Sequence, residues 1–256
     1  MKIQYASDLH LEFESNTKYL IDKPLKVTGD ILILAGDIHV IDSPYFLSSS
    51  FWDWASENYK QVIVAFGNHE YYGGYDLSKM TDGFKYKIRD NIYYYYNCVI
   101  TIDDVDIIVS TLWSYIHKEY EKSCTKGVND FYQIKYKGKR LTAEIFNKEH
   151  QKCLNFIKKA LNESKAKTKI VVTHHVPSRL LTAKEFEGSD INDAFTVDLT
   201  DYIKTCGVKY WIFGHSHRNI NKIIGETSCI CNQVGYVMAH EQKTFSHEKN
   251  IDLNDK

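Results

Sequence analysis

The chain holds only three prolines, Pro24, Pro44 and Pro177, and no Cys-x-x-Cys pair among its six cysteines. Cys98, Cys124, Cys153 and Cys206 are scattered, and only Cys229 and Cys231 lie close together. This excludes a zinc ribbon and a thioredoxin-like redox site, and it fits buried, reduced thiols. No apolar run approaches the roughly 20 residues that span a bilayer. The opening MKIQYASDLH lacks the apolar stretch of a secretory leader. A cytoplasmic location without a membrane partner is therefore expected. Net charge is −1 with histidines neutral, which removes the global electrostatic case for nucleic acid. The densest basic stretch, KYKGKR at 135–140, alternates Lys135, Lys137 and Lys139 and reads as an exposed strand face or loop. Repeats, linkers and low-complexity segments are also missing. One domain over 1–256 is expected, with disorder only in the closing IDLNDK.

What is present is a large apolar fraction, 43% of 256 residues, enough for a sizeable core. Short apolar runs recur at Ile3–Ala6, Ile31–Ala35, Val62–Phe66, Ile107–Ser110, Ile170–Thr173 and Tyr210–Phe213. They are strand-length and rich in Ile and Val, as strands covered on both faces should be. Helical spacing lies between them. It is loose over 43–59 (Leu47, Phe51, Trp54, Ala55) and clearer over 142–162 (Ile145, Cys153, Leu154, Ile157, Leu161, with His150 on the same side). It returns from about Thr196, with Leu199, Tyr202, Ile203 and Cys206. The stretch 92–113 reads as a meander with turns at Asn97-Cys98 and Asp103-Asp104, and 223–237 as a second strand-rich segment. The tyrosine run at 93–96 suits core and hairpin packing better than base stacking. The pattern is α/β, with a mixed sheet or two packed sheets. Two connections, about 114–140 and 176–195, are long enough to suggest functional loops.

The ends of these apolar runs carry the chemistry. The first ends in SDLH, giving Asp8 and His10, and the second in GDIH, giving Asp37 and His39. The third ends in GNHE, giving Asn68, His69 and Glu70. Two later runs end in THHVPS, giving His174 and His175, and in GHSH, giving His215 and His217. Crevices in α/β sheets form beyond the carboxyl ends of strands. Imidazole, carboxylate and amide donors without thiolate suit borderline divalent cations. Asp-x-His and His-x-His let residues i and i+2 approach one point from one backbone stretch. Glycines before Asp37, Asn68 and His215 fit turns where the backbone passes close to an ion. Taken in order, the five ends supply Asp, His, Asp, Asn, His, His and His as candidate ligands, and these seven exceed one tetrahedral shell, so two ions sharing a carboxylate are expected. Two divalent ions, two aspartates and a bridging hydroxide leave about +1, which attracts phosphate.

The ordered set DLH, GD, GNHE, THH and GHSH resembles the calcineurin-like metallophosphoesterases, from SDLHLEF at 7–13 to NQVGY at 232–236. STLWS at 110–114, VNDF at 128–131, KRLTAE at 139–144 and THHVPS at 173–178 resemble a bacterial branch of that family. The resemblance implies a four-layer α/β/β/α sandwich, two mixed β-sheets packed together with helices outside. It implies Asp8, His10 and His217 on one ion, Asn68, His174 and His215 on the other, and Asp37 between them. His69 would face the substrate phosphate and assist the leaving oxygen. The implied reaction is hydrolysis of a small phosphate mono- or diester by a hydroxide shared between the ions, with manganese as metal and iron or zinc as alternatives. His175 is expected outside the ligand set, His39 as a satisfied polar or surface histidine, and Arg218 either at phosphate or in solvent. Trp113 and Tyr115 are candidates for the entrance or the core. Asn232 is followed by Gln233, where this branch more often has proline. Two alternatives stand beside the hydrolase: a non-catalytic metal-binding scaffold on the same fold, marked by eroded ligands, and a nuclease branch, marked by a basic groove.

Overall fold

The computed structural model describes residues 1–254. Ile- and Val-rich runs form β1 (Lys2–Ala6), β2 (Ile31–Leu34) and β3 (Gln61–Ala65), with α1 (Glu14–Asp22) and α2 (Ser50–Asn58) between them. The hairpin β4 (Phe84–Arg89) and β5 (Ile92–Tyr96) completes this half. The chain then enters β6 (Cys98–Ile102) and β7 (Val105–Val109). The segment 114–140 folds as α3 (Glu121–Gly127), α4 (Asp130–Gln133) and the hairpin β8 (Lys135–Tyr136) with β9 (Lys139–Arg140). The long α5 (Ala143–Glu163) leads to β10 (Thr168–Val172), α6 (Thr200–Ile203), β11 (Tyr210–Ile212), β12 (Lys222–Ile224) and β13 (Thr227–Ile230). The last strand, β14 (Asn250–Asp252), returns to the first half.

Two six-stranded sheets result, ordered β14-β1-β2-β3-β5-β4 and β12-β13-β11-β10-β7-β6. In each, four parallel strands are flanked by antiparallel edge strands. The period of two along each strand divides the core into layers. Ile3, Tyr5, Ile31, Ile33 and Ile63 meet Val105, Ile107, Ile170, Val172 and Ile212 between the sheets. The alternate residues Leu32, Leu34, Val62 and Val64 pack under Leu20 of α1 and Trp52 and Ala55 of α2. On the other outer face, Ile108, Val171 and Trp211 pack under Leu154, Ile157 and Leu161 of α5. This is the expected four-layer sandwich, and the tyrosine run serves as core, with Tyr94, Tyr95 and Tyr96 buried.

Several local expectations change. The meander at 92–113 is split, because Asn97 carries the chain from β5 in one sheet to β6 in the other. Asn97 adopts φ 48°, and its side chain ties Asp82 on one side to Ser110 on the other. The helix expected over 43–59 starts only at Ser50, since Pro44 and the serines at 48–50 favour turns. The helix expected from Thr196 shortens to α6, because Val197 and Leu199 donate backbone hydrogen bonds to Val176 and Pro177. In the tail, Ile251 pairs with Ile3 on β1 and is not disordered; residues 255–256 of that segment lie outside the described residues. KYKGKR is the exposed β8–β9 hairpin, its turn held by Lys137 and Gly138 amides donating to Asp76. All six cysteines are free. No helix among the described residues is long and apolar enough to cross a membrane.

Candidate active site

The carboxyl ends of β1, β2, β3, β10 and β11 deliver Asp8 and His10, Asp37, Asn68 and His69, His174, and His215 with His217 to one crevice. Asp8, His10, Asp37, His215 and His217 all adopt positive φ, between 48° and 74°. Such conformations strain non-glycine residues and persist where surrounding structure enforces them. Here, each strand end must fold back sharply to aim its side chain at a shared point. Two glycines make room for that approach. A Cβ at Gly67 would lie 2.2 Å from Asp37 Oδ1, and one at Gly36, whose φ is 88°, would lie 2.5 Å from His174 Nδ1.

Two donor groups form, Asp8 with His10 and His217, and Asp37 with His174 and His215, each with donor atoms within 4.8 Å of one another. Asp37 Oδ2 lies between them, 3.3 Å from His174 Nε2 and 3.8 Å from His10 Nε2. Asn68 Oδ1 is 3.0 Å from His174 Nε2. The outer nitrogens of three imidazoles are already engaged. His10 Nδ1 donates to Glu12 (3.0 Å), His217 Nδ1 to Glu241 (2.7 Å) and His174 Nδ1 to the Ala35 carbonyl (2.8 Å). Each Nε2 therefore faces inward, the usual arrangement of metal-ligating histidine.

The donor set fits divalent cations. His215 Nε2 is buried without a hydrogen-bond partner. His10 and His217 Nε2 approach to 3.0 Å, where two lone pairs repel unless something positive lies against both. Burial disfavours cationic His174 and His217, yet neighbouring carboxylates outweigh it and push them up to about 10 and about 9. The crevice thus demands positive charge, and a bound cation would supply it in place of protons. Burial, with His174 alongside, pushes His215 down to about 3, leaving its lone pair free.

Proximity also joins His69 to His10 and Asp37. It differs in its contacts: Nδ1 meets Glu12 at 2.9 Å, Nε2 meets Tyr236 Oη at 3.2 Å, and the ring stacks on Tyr72 at 4.2 Å. Glu12 therefore serves both His10 and His69. Burial opposes its ionisation, but the two imidazoles hold it down to about 2.

His175 stands outside the donor groups, its Nδ1 3.2 Å from Ser114 Oγ and its ring against His215. His39 is buried, with Nδ1 donating to the Val40 carbonyl. Arg218 is half-buried, held by Glu185 and Glu241. Trp113 is fully buried core, and Tyr115 is exposed outside the cavity.

Sequence reasoning missed the supporting carboxylates. Glu70 accepts from the backbone amides of Asp37, Ile38 and Gly67, pinning two of the strand-end turns together. Asp130 Oδ1 accepts from Asn68 Nδ2 at 2.8 Å and from Tyr72 Oη at 2.6 Å, which turns the Asn68 carbonyl oxygen inward. Glu70 lies inside the GNHE motif and Asp130 inside VNDF, so the signal was present without a role attached. Glu12 likewise lies inside SDLHLEF, while Glu241 carried no signal beyond its type.

A cavity of about 300 Å³ opens beside Asp37, Asn68, His69, His215 and His217. Both long connections line it, through residues 127–130 and 182–196.

The calcineurin-like phosphoesterase family matches residues 1–219. An uncharacterised protein of Acanthamoeba polyphaga mimivirus is 30% identical, covering 98% of this chain and 96% of its own. The phosphopantetheinyl hydrolase of Mycobacterium tuberculosis superposes with a TM-score of 0.71 at 16% identity, over 99% of this chain and 96% of that one. A dimetal phosphatase of Danio rerio gives 0.51 at 13% identity, over 91% and 87%. These two structures share the fold; the family match spans most of the chain. The chain belongs to the calcineurin-like phosphoesterases, hydrolases of phosphate esters built around a dinuclear metal centre.

Proposed function

We propose that this chain, as one domain over 1–256, hydrolyses a small phosphate mono- or diester in the cytoplasm, with Asp8, His10 and His217 holding one divalent cation, Asn68, His174 and His215 a second, and Asp37 shared. The observation that carries the reading is the inward set of imidazole Nε2 atoms around Asp8 and Asp37, with His215 Nε2 unpartnered. Nitrogen and oxygen donors without thiolate suit manganese, with iron or zinc as alternatives. When bound, such cations polarise phosphoryl oxygens and make water acidic enough to attack near neutral pH.

The remaining work falls to the chain itself. Glu12, fixed on His69 Nδ1, leaves Nε2 beside Tyr236 Oη in the cavity lining, from where it delivers a proton to the departing oxygen or donates a hydrogen bond to it. Tyr72 stacks under that ring and keeps it in place. Asp130 keeps the Asn68 amide from flipping. The complete donor set argues against a scaffold that has lost catalysis. The lack of a lysine or arginine among the described residues lining the cavity argues against a nuclease.

The test uses manganese-loaded protein and two generic substrates, an aryl phosphate and a bis-aryl phosphate. Turnover of either, abolished by chelator and restored by manganese, is expected. No turnover of either by protein carrying two equivalents of metal would overturn the hydrolase reading.

A further inference from the structure

The two long connections line the cavity with apolar and neutral polar residues, and Asp130, tied to Asn68, is the one charged side chain they contribute among the described residues. Val128, Ala183, Phe186, Ile191 and Phe195 form this wall, with neutral polar residues between them. Phe186, Ile191 and Phe195 remain half-buried, so apolar surface is left facing the cavity. The wall is also fixed. Gly127 closes against Ile191, where a Cβ would lie 3.1 Å from Ile191 Cγ2. Asp193, only 3% exposed, accepts from the His117 amide and pairs with His117 Nδ1 (2.7 Å) and Arg179 (2.9 Å), joining the two connections.

Charge makes the second half of the case. Among the described residues, no lysine or arginine lines the cavity, while Asp130 and Glu241 do. Arg218 packs over the Phe186 ring at 5.3 Å, but Glu185 and Glu241 neutralise it. A second phosphate or a carboxylate on the substrate would be desolvated beside carboxylates, with no lysine or arginine to pair with.

We propose that the ester cleaved at this centre carries an uncharged, mainly apolar leaving group seated against Val128, Ala183, Phe186, Ile191 and Phe195, and no second anionic group. This rests on the hydrolase reading above for the position of the phosphoryl group. A cavity near 300 Å³ lies at the small end of ligand sites, so the leaving group is compact.

The experiment uses the metal-loaded chain and n-alkyl monophosphates from ethyl to hexyl. Their leaving alcohols differ little in basicity, so rate differences report burial of the chain. kcat/KM should rise by roughly fourfold per methylene until the cavity fills. An ester of matched length ending in a carboxylate should be at least about tenfold poorer than its alkyl counterpart. Ile191→Lys, a half-buried wall position, should narrow that gap by roughly tenfold while metal content stays unchanged. Calorimetric binding of the matching alkylphosphonates reads the same wall without hydrolysis and should show the same ranking. A series flat in chain length, or equal binding of the carboxylate-ended ligand, overturns the proposal. Absence of turnover with the ranking intact in calorimetry overturns only the hydrolase reading.

Discussion

In one half of the crevice, Glu12 and Glu241 hold the Nδ1 atoms of His10 and His217. In the other, a backbone carbonyl holds His174, an asparagine replaces a charged donor, and His215 is set by packing, stacked on Phe195 at 4.8 Å and tilted against His175 at 4.2 Å. The first half has its own carboxylate, Asp8, while the second relies on Asp37. A carboxylate on the far nitrogen makes an imidazole more basic and a better ligand. The first half should therefore bind its cation more tightly, and the second, which borders the apolar wall, should lose its cation first. On that reading the crevice would combine an anchoring ion with a more exchangeable one nearer the substrate.

Substitutions can break this comparison in order of severity. Asp37→Asn removes charge from both halves at once. It should reduce metal content below two equivalents by elemental analysis and cut kcat/KM by a thousandfold or more, since several kcal/mol of electrostatic stabilisation are lost, at about 1.4 kcal/mol per tenfold. His69→Ala should leave both cations in place and cost roughly 10²- to 10⁴-fold in kcat. A parallel loss of metal would mean that His69 is a ligand. Glu241→Gln and Asp130→Asn sharpen the contrast between the halves. Each should weaken one cation by about 10- to 100-fold and spare the other, read by stepwise titration with a chelator.

The smallest effect lies outside the crevice. Asp76 accepts from the Ser78, Lys137 and Gly138 amides. Burial opposes its charge, but these donors prevail and lower its pKa from 3.8 to about 2. Asp76→Ala should cost about 1 kcal/mol in urea denaturation at neutral pH. A depressed carboxylate pKa stabilises the fold above the unfolded value. That contribution should fade as pH falls from about 4 towards 2, and the variant should then approach the parent.

The strand cores and the donor clusters were readable because both are local. Each strand carries its own period-two pattern, and each motif sits within a few residues of a strand end. Sheet membership is not local. Cys98–Ile102 pairs with Val105–Val109 as a hairpin, yet nothing in Tyr96-Asn97-Cys98 says that the chain changes sheets there. Helix α1 escaped notice because it buries Asn16 along with Leu20, so its inner face is not uniformly apolar. Asn16 earns burial by donating to the Leu9 and Gly235 carbonyls, the second of them 219 positions away. Glu241 meets His217 across a turn that only the folded chain creates, and Asp130 reaches Asn68 from 62 positions along the sequence. Long-range hydrogen bonds of this kind leave no periodic trace.

The most direct test of the paired-cation centre is anomalous diffraction from crystals grown with manganese. Two peaks about 3.5–4 Å apart are expected, with Asp37 between them, Asp8, His10 and His217 around one, and Asn68, His174 and His215 around the other. A single peak, or none among these side chains, would contradict the account.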